Sequence, residues 1–150
     1  MPSAALGMLV RLVLDTNTVI SGLLWDNAPS RLLDAALEGR IALFTSHALL
    51  FELGDVLPRA KFVKRVAASQ LTIEQLITRY AVLAQTIEPA LISPVSIDPD
   101  DDHVLACAIG ANVDFIVSGD ADLLNLKQHQ SIPIIKAAEA LSRIEQEKSR

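Results

Sequence analysis

The stretch "LVRLVLDTNTVIS", residues 9–21, decides the fold. Residues 9–14 form a short aliphatic run with one interruption, Arg11, and such a run predicts a buried strand. The run ends in Asp15, Thr16 and Asn17. These three polar residues either form a turn or indicate that the strand carries an acid to a functional site.

The rest of the chain alternates between strand-like and helix-like segments. Alternation of this kind predicts an α/β fold in which helices enclose a parallel sheet. We expect one domain over residues 1–150, with residues 1–8 as a flexible N-terminal extension. The predicted strands are 9–14, 41–46, 90–97, 114–120 and 132–136. The predicted helices are 30–38, 46–57, 59–69, 72–88, one from Asp98, 121–126 and 136–147.

Composition excludes several classes of protein. The formal net charge of −5 argues against a protein that coats nucleic acid through bulk positive charge. Cys107 is the only cysteine, so no internal disulfide can form, and we expect a reducing, cytoplasmic environment. No apolar run approaches the ~18 residues that a membrane-spanning helix needs, and residues 1–8 lack the features of a signal peptide.

Acidic residues follow the first four predicted strands. Parallel strands end at one edge of a sheet, where ligands bind in open α/β folds, so these acids are expected to meet there. Asp98 suits a helix N-cap with Pro99 behind it, whereas Asp102 is expected beside the buried stripe of the next helix. The acids concerned are Asp15, Glu52, the group Asp98, Asp100, Asp101 and Asp102, and the pair Asp120 and Asp122.

Several carboxylates in one pocket repel one another and need a compensating cation. An all-oxygen ligand set without cysteine or a histidine cluster suits Mg²⁺ or Mn²⁺. The chemistry that such a site favours is cleavage of a phosphodiester bond, because the cation neutralises charge on the phosphate and activates a water.

Three segments together resemble a PIN domain, and most closely the PIN toxins of bacterial toxin–antitoxin pairs. They are "LVLDTN", the glutamate in the helix after the second strand, and "DPDDDHVLACAIGANVDFIVSGDADLL", residues 98–124. The resemblance implies a three-layer α/β/α fold with about five parallel strands in the order 3-2-1-4-5. It also implies a metal-dependent ribonuclease directed at single strands, a cognate antitoxin and a homodimer. Its acids fall on Asp15, Glu52, Asp102 and Asp120, with Asp122 as a further metal ligand and Thr16, Asn17 and Ser118 as supporting residues.

The densest run of cations is residues 59–65, which we call the basic segment. It carries Arg59, Lys61, Lys64 and Arg65 and is expected at the rim of the acidic cleft, either as an RNA-backbone clamp or as a solvated helix face. Two other functions stay open. One is a PIN-like binding module that has lost catalysis. The other is a small-molecule phosphohydrolase, although position 17 is Asn where a D-x-D nucleophile pair needs an acid.

Overall fold

The computed structural model describes residues 9–95 and 98–148. The predicted extension 1–8 and the end of the predicted strand 90–97 lie outside the described residues. The strands are β1 Val10–Leu14, β2 Ile41–Thr45, β3 Gln85–Thr86, β4 Phe115–Val117, β5 Gln128–His129 and β6 Ile132–Ile135. The helices are α1 Thr16–Leu24, α2 Ala28–Leu37, α3 His47–Val56, α4 Val63–Ser69, α5 Ile73–Leu83, α6 Pro99–Ala111, α7 Ala121–Leu126 and α8 Ala137–Lys148.

The strands form one sheet in the order β3-β2-β1-β4-β6-β5. Every pairing is parallel except that between β5 and β6. The predicted order is confirmed for the parallel strands, and the short β5 adds an antiparallel edge. The predicted helix 72–88 is too long, because it ends at Leu83 and the third strand is only Gln85–Thr86. The strand predicted at 90–97 is irregular over its described residues.

The central strand β1 divides the core into two layers. Leu12 and Leu14 point into the cluster that includes the buried faces of α1, α2, α5 and α8. Val13 points to the opposite face, where it packs with α6 and α7. Alternate side chains of a strand face opposite sides of a sheet, so the aliphatic run of β1 is buried on both faces and the fold has three layers.

Helix α1 was not predicted. It begins at Thr16, and its N-cap is Asp15, whose side chain accepts the backbone N–H of Thr18 at 2.9 Å. Asp15 therefore ends β1 and caps α1 at the carboxyl edge of the sheet, and its role in a functional site stays a prediction.

Arg11, the one charged residue of β1, stabilises the opposite edge. Its guanidinium donates to the carbonyls of Ala111 and Asn112 at the end of α6 and lies 4.3 Å from the centre of the Phe44 ring. Cations at a helix C-terminus satisfy carbonyls that have no partner inside the helix. Within residues 9–95 and 98–148, none of the helices is long and apolar enough to cross a membrane.

Candidate metal centre

Asp15 is one of two buried acids at the carboxyl edge of the sheet. It directly follows β1, is only 6% exposed, and its second carboxylate oxygen, Oδ2, accepts a hydrogen bond from the Ser118 hydroxyl. Burial raises the pKa of Asp15, and the hydrogen bonds from Ser118 and Thr18 offset part of this effect. A buried carboxylate with these properties gains most from a nearby positive charge.

Three further acids meet beside Asp15. Asp101, Asp120 and Asp122 each present a carboxylate oxygen, and these three oxygens lie within 4.8 Å of one another. Asp101 is 6% exposed in the first turn of α6. Asp120 is the N-cap of α7, where its Oδ1 accepts the backbone N–H groups of Asp122 and Leu123. The cluster therefore joins the starts of two helices at one edge of the sheet.

The structure brings Asp101 rather than Asp102 to this cluster. Val104, Leu105 and Ala108 are buried, and they lie three, four and seven positions after Asp101, so Asp101 shares their helical face. Asp102 lies one residue further around the helix, and its Oδ1 accepts the backbone N–H of Val95 at 3.0 Å. The predicted placement of Asp102 beside these acids is therefore replaced by Asp101, and the role of Asp101 as the third acid is a proposal.

Glu52, on α3, is linked to Thr16, the residue that follows Asp15. The Thr16 hydroxyl donates to its Oε1, and its carboxyl group also makes a hydrogen bond with the side chain of Asp100. Partial burial raises the pKa of Glu52 to about 7, with further contributions from that hydrogen bond and from the charges of Asp100 and Asp98. Glu52 is therefore a half-buried acid in a negative environment, as expected for a pocket of carboxylates.

Ser118 connects the parts of the site. It is 1% exposed, donates to Asp15, and accepts the backbone N–H of Asp120 at 2.9 Å. Thr16 performs a similar task for Glu52. Ser118 and Thr16, two of the three predicted supporting residues, thus hydrogen-bond to acids, whereas Asn17 is exposed in the first turn of α1.

Asp100 and Asp101 belong to the group of acids expected at this edge, but the resemblance assigned the third acid to Asp102. The prediction that Asp98 is the N-cap of α6 is confirmed. The available signal for Asp101 was its spacing of four and seven residues from Leu105 and Ala108. No local pattern indicated that Asp100 contacts Glu52, because the two residues lie far apart in the chain.

The basic segment contacts the C-terminal end of α1 through Arg65. It folds as a 3₁₀ turn, Ala60–Phe62, followed by α4, instead of the single helix predicted for 59–69. The Arg65 guanidinium stacks 4.8 Å from the centre of the Trp25 ring, and Trp25 is the C-cap of α1. Asp15 caps the other end of this nine-residue helix, so Arg65 lies roughly 13 Å from Asp15 along the helix axis. Arg65 is therefore separated from Asp15 by about the length of α1.

The donor atoms fit a hard divalent cation. The acids and hydroxyls of the cleft offer oxygen atoms, and the cluster of three carboxylates is partly exposed, since Asp122 faces solvent. Cys107 does not contribute, because it is buried in the core and burial raises the pKa of its thiol to about 12. A separate cleft of about 1110 Å³ between α1, α2 and α5 contains none of the site acids.

The fold and the acidic cleft define a nuclease-type α/β domain, and comparison with known proteins gives its family. A family model described as PIN domain matches residues 11–122, about three quarters of the chain, so the chain belongs to the PIN domain family. It is also similar to the uncharacterized protein MJ1680 of Methanocaldococcus jannaschii. The two are 29% identical over 119 residues, which cover 79% of this chain and 76% of that protein.

Proposed function

We propose that this protein is a metal-dependent endoribonuclease that cleaves single-stranded RNA and acts as the toxin of a toxin–antitoxin pair. The observation that carries the proposal is the convergence of Asp101, Asp120 and Asp122 within 4.8 Å, next to the buried Asp15. Maintaining so many carboxylates together is unfavourable without a cation, and PIN domains are in general metal-dependent nucleases.

In this proposal, the acids bind the cation, and the hydroxyl groups of Ser118 and Thr16 hold two of the acids in position. Asp15, Asp101, Asp120 and Asp122 would bind Mg²⁺ or Mn²⁺, with Glu52 completing the site from α3. The bound cation would supply positive charge against the scissile phosphate and acidify the attacking water. Ser118 and Thr16 orient Asp15 and Glu52, and such supporting hydrogen bonds typically change metal affinity or activity by about 10- to 100-fold.

The basic segment remains the proposed contact for the RNA backbone. Since Arg65 lies about one helix length from Asp15, its cations would hold phosphates that are distant from the cleavage point. Lys61 and Lys64 are exposed in the same segment, and neighbouring cations compensate locally for the net charge of −5.

A cleavage assay tests the nuclease activity. Labelled single-stranded RNA and DNA oligonucleotides are incubated with the protein in Mg²⁺, in Mn²⁺ and in EDTA. We expect cleavage of RNA only when a cation is present, and loss of cleavage in Asp120→Asn. Asp26→Asn is the matched control, because Asp26 is exposed beyond the far end of α1. Cleavage that persists in EDTA, or in Asp120→Asn, would reject the proposed site.

The biological role needs its own experiment. Induced expression of the parent protein in a bacterial host should arrest growth, whereas Asp120→Asn at the same level should not. The proposed partners are an antitoxin and a second copy of the chain, as the resemblance to PIN toxins implies. Light scattering on the purified protein measures the homodimer directly, and a monomer at all concentrations would remove that part of the proposal.

A further inference from the structure

Phe51 is the one aromatic side chain that the fold leaves in solvent. The chain has six aromatic residues, all within the described part of the structure. Phe51 is 80% exposed, whereas the other five are buried or partly buried. Full burial of a phenylalanine side chain contributes about 1.5–3 kcal/mol, so leaving it in water forgoes that stabilisation. The exposure of the Phe51 ring is therefore not explained by the stability of the fold. The five other aromatic residues are Trp25, Phe44, Phe62, Tyr80 and Phe115.

Phe51 lies directly beside the acidic cleft. It precedes Glu52 on α3, which begins immediately after β2 and so starts at the carboxyl edge of the sheet. The buried face of α3 carries Leu49 and Leu53, and Glu52 lies at the border of that face. With about 100° between successive helical residues, the Phe51 ring projects on the solvent side of Glu52.

The exposed face of α3 leads from the cleft toward the cations. His47, Phe51 and Asp55 are all exposed and follow one another at intervals of four residues, so they form one stripe along the helix. Asp55 pairs with Arg59 at 3.9 Å, and Arg59 begins the basic segment. A single strand with one phosphate at the acids and others on the basic segment would cross Phe51.

We propose that Phe51 is the stacking platform for a base that flanks the scissile phosphate of a single-stranded RNA. This inference rests on the proposed function. Aromatic side chains that stack on bases supply much of the affinity of single-strand binding, and they do so with little dependence on sequence. The nuclease would thus hold its substrate by a base at Phe51, by the scissile phosphate at the cation site and by more distant phosphates at the basic segment.

The surroundings of Phe51 favour a base over a protein partner. A protein interface needs a contiguous apolar patch with an anchor at its centre. On the exposed stripe of α3, however, the residues one turn before and one turn after Phe51 are His47 and Asp55, both polar. A single ring flanked by polar groups suits a flat aromatic ligand that carries its own polar edges.

The test measures binding of a single-stranded RNA oligonucleotide in Ca²⁺, which suppresses cleavage. Phe51→Ala should weaken binding by roughly 5- to 100-fold, and Phe51→Leu, which keeps apolar bulk but has no aromatic face, should recover little of the loss. Leu37→Ala is the matched control, because Leu37 is 78% exposed on α2, outside the site, and should leave affinity unchanged.

An abasic scan identifies the stacked base. Removing one base at a time along the oligonucleotide should produce a position where the parent protein loses affinity and Phe51→Ala does not. Equal penalties in both proteins at every position would overturn the stacking proposal, as would the absence of any binding of single strands by the parent protein. The two proposals fail separately: a parent protein that binds but never cuts refutes the nuclease, whereas Phe51→Ala that binds and cuts normally refutes only the stacking.

Discussion

Replacing Glu52 by glutamine should stabilise the metal-free protein at pH 8 and have little effect at pH 4.5. Partial burial, then the hydrogen bond with Asp100, raises the pKa of Glu52 from 4.5 to about 7 in the folded state. The folded state therefore binds this proton more tightly than the unfolded state. The resulting stability is fully present below pH 4.5 and is lost as the pH rises through 7. Glutamine keeps an acceptor for Thr16 and supplies a permanent donor for Asp100. The variant should therefore keep this stability at high pH.

The size of the effect follows from the pKa of Glu52. The complete shift corresponds to about 3 kcal/mol. Because Glu52 is only half-buried and water screens its interactions, we expect about 1–2 kcal/mol. For a chain of this length, that is a rise in Tm of roughly 2–8 °C at pH 8. Thermal unfolding in EDTA from pH 4.5 to 8 measures the difference between variant and parent at each pH.

The exposed Glu88 provides a matched control, because Glu88→Gln makes the same chemical change outside the cleft and should change the stability at pH 8 less than Glu52→Gln does. A Glu52→Gln protein that is less stable than the parent at pH 8 would refute the reasoning. So would a difference that is the same at both ends of the pH range. Saturating Mg²⁺ should reduce the difference in Tm between Glu52→Gln and the parent at pH 8, since a bound cation favours the carboxylate over the amide.

Three other outcomes are expected. Asp101→Asn should abolish Mn²⁺-dependent cleavage of an RNA oligonucleotide while Asp102→Asn retains most of it, and the opposite ranking in a parallel assay would restore the original choice of the third acid. Gly110→Ala should destabilise the fold by about 1–3 kcal/mol in urea unfolding, because the added Cβ would lie 2.5 Å from the carbonyl oxygen of Glu88. Unchanged stability would mean that the backbone around Glu88 can move away from the added methyl group. Removing three cations of the basic segment together should make the salt dependence of RNA binding less steep by about 2, and an unchanged slope would show a merely solvated surface. The substitutions are Lys61→Ala, Lys64→Ala and Arg65→Ala.

Local signals explain what could be predicted about the fold. The N-cap Asp98 is a short-range pattern, and the hydrogen bond that its side chain accepts from the backbone N–H of Asp100 confirms it. The start of α5 at the capping box of Thr72 and Gln75 depends on a pattern of the same kind. The third strand was misplaced because β3 has only two residues. The apolar residues that follow it resemble a strand in sequence but pack without ladder hydrogen bonds over their described part.

The position of the site at the carboxyl edge of the sheet was predictable from the sequence, but not all of its residues were. Acids that follow parallel strands are expected at the carboxyl edge, so topology predicted which part of the fold would gather them, and the resemblance selected Asp15, Glu52, Asp102 and Asp120 among them. The choice between Asp101 and Asp102 depends on a rotation of about 100° around α6, and nearly all sides of that helix are buried, so its sequence has little amphipathic contrast. Phe51 could not be distinguished from a core residue, because its exposure depends on which helices pack beside α3.

Asp15 and Asp120 are N-caps of helices as well as acids of the candidate metal centre, so their charge can be removed without removing the cap. Asparagine starts a helix about as well as aspartate, whereas alanine at an N-cap typically costs 0.5–2 kcal/mol. Replacing either aspartate by asparagine therefore removes the negative charge that the proposed cation site needs. It keeps the side-chain oxygen that accepts the backbone N–H groups at the start of the helix. An inactive protein made in this way would retain its surface. Under the proposed function, it would be suited to capturing uncut RNA, which an active nuclease would destroy, and to capturing the proposed antitoxin.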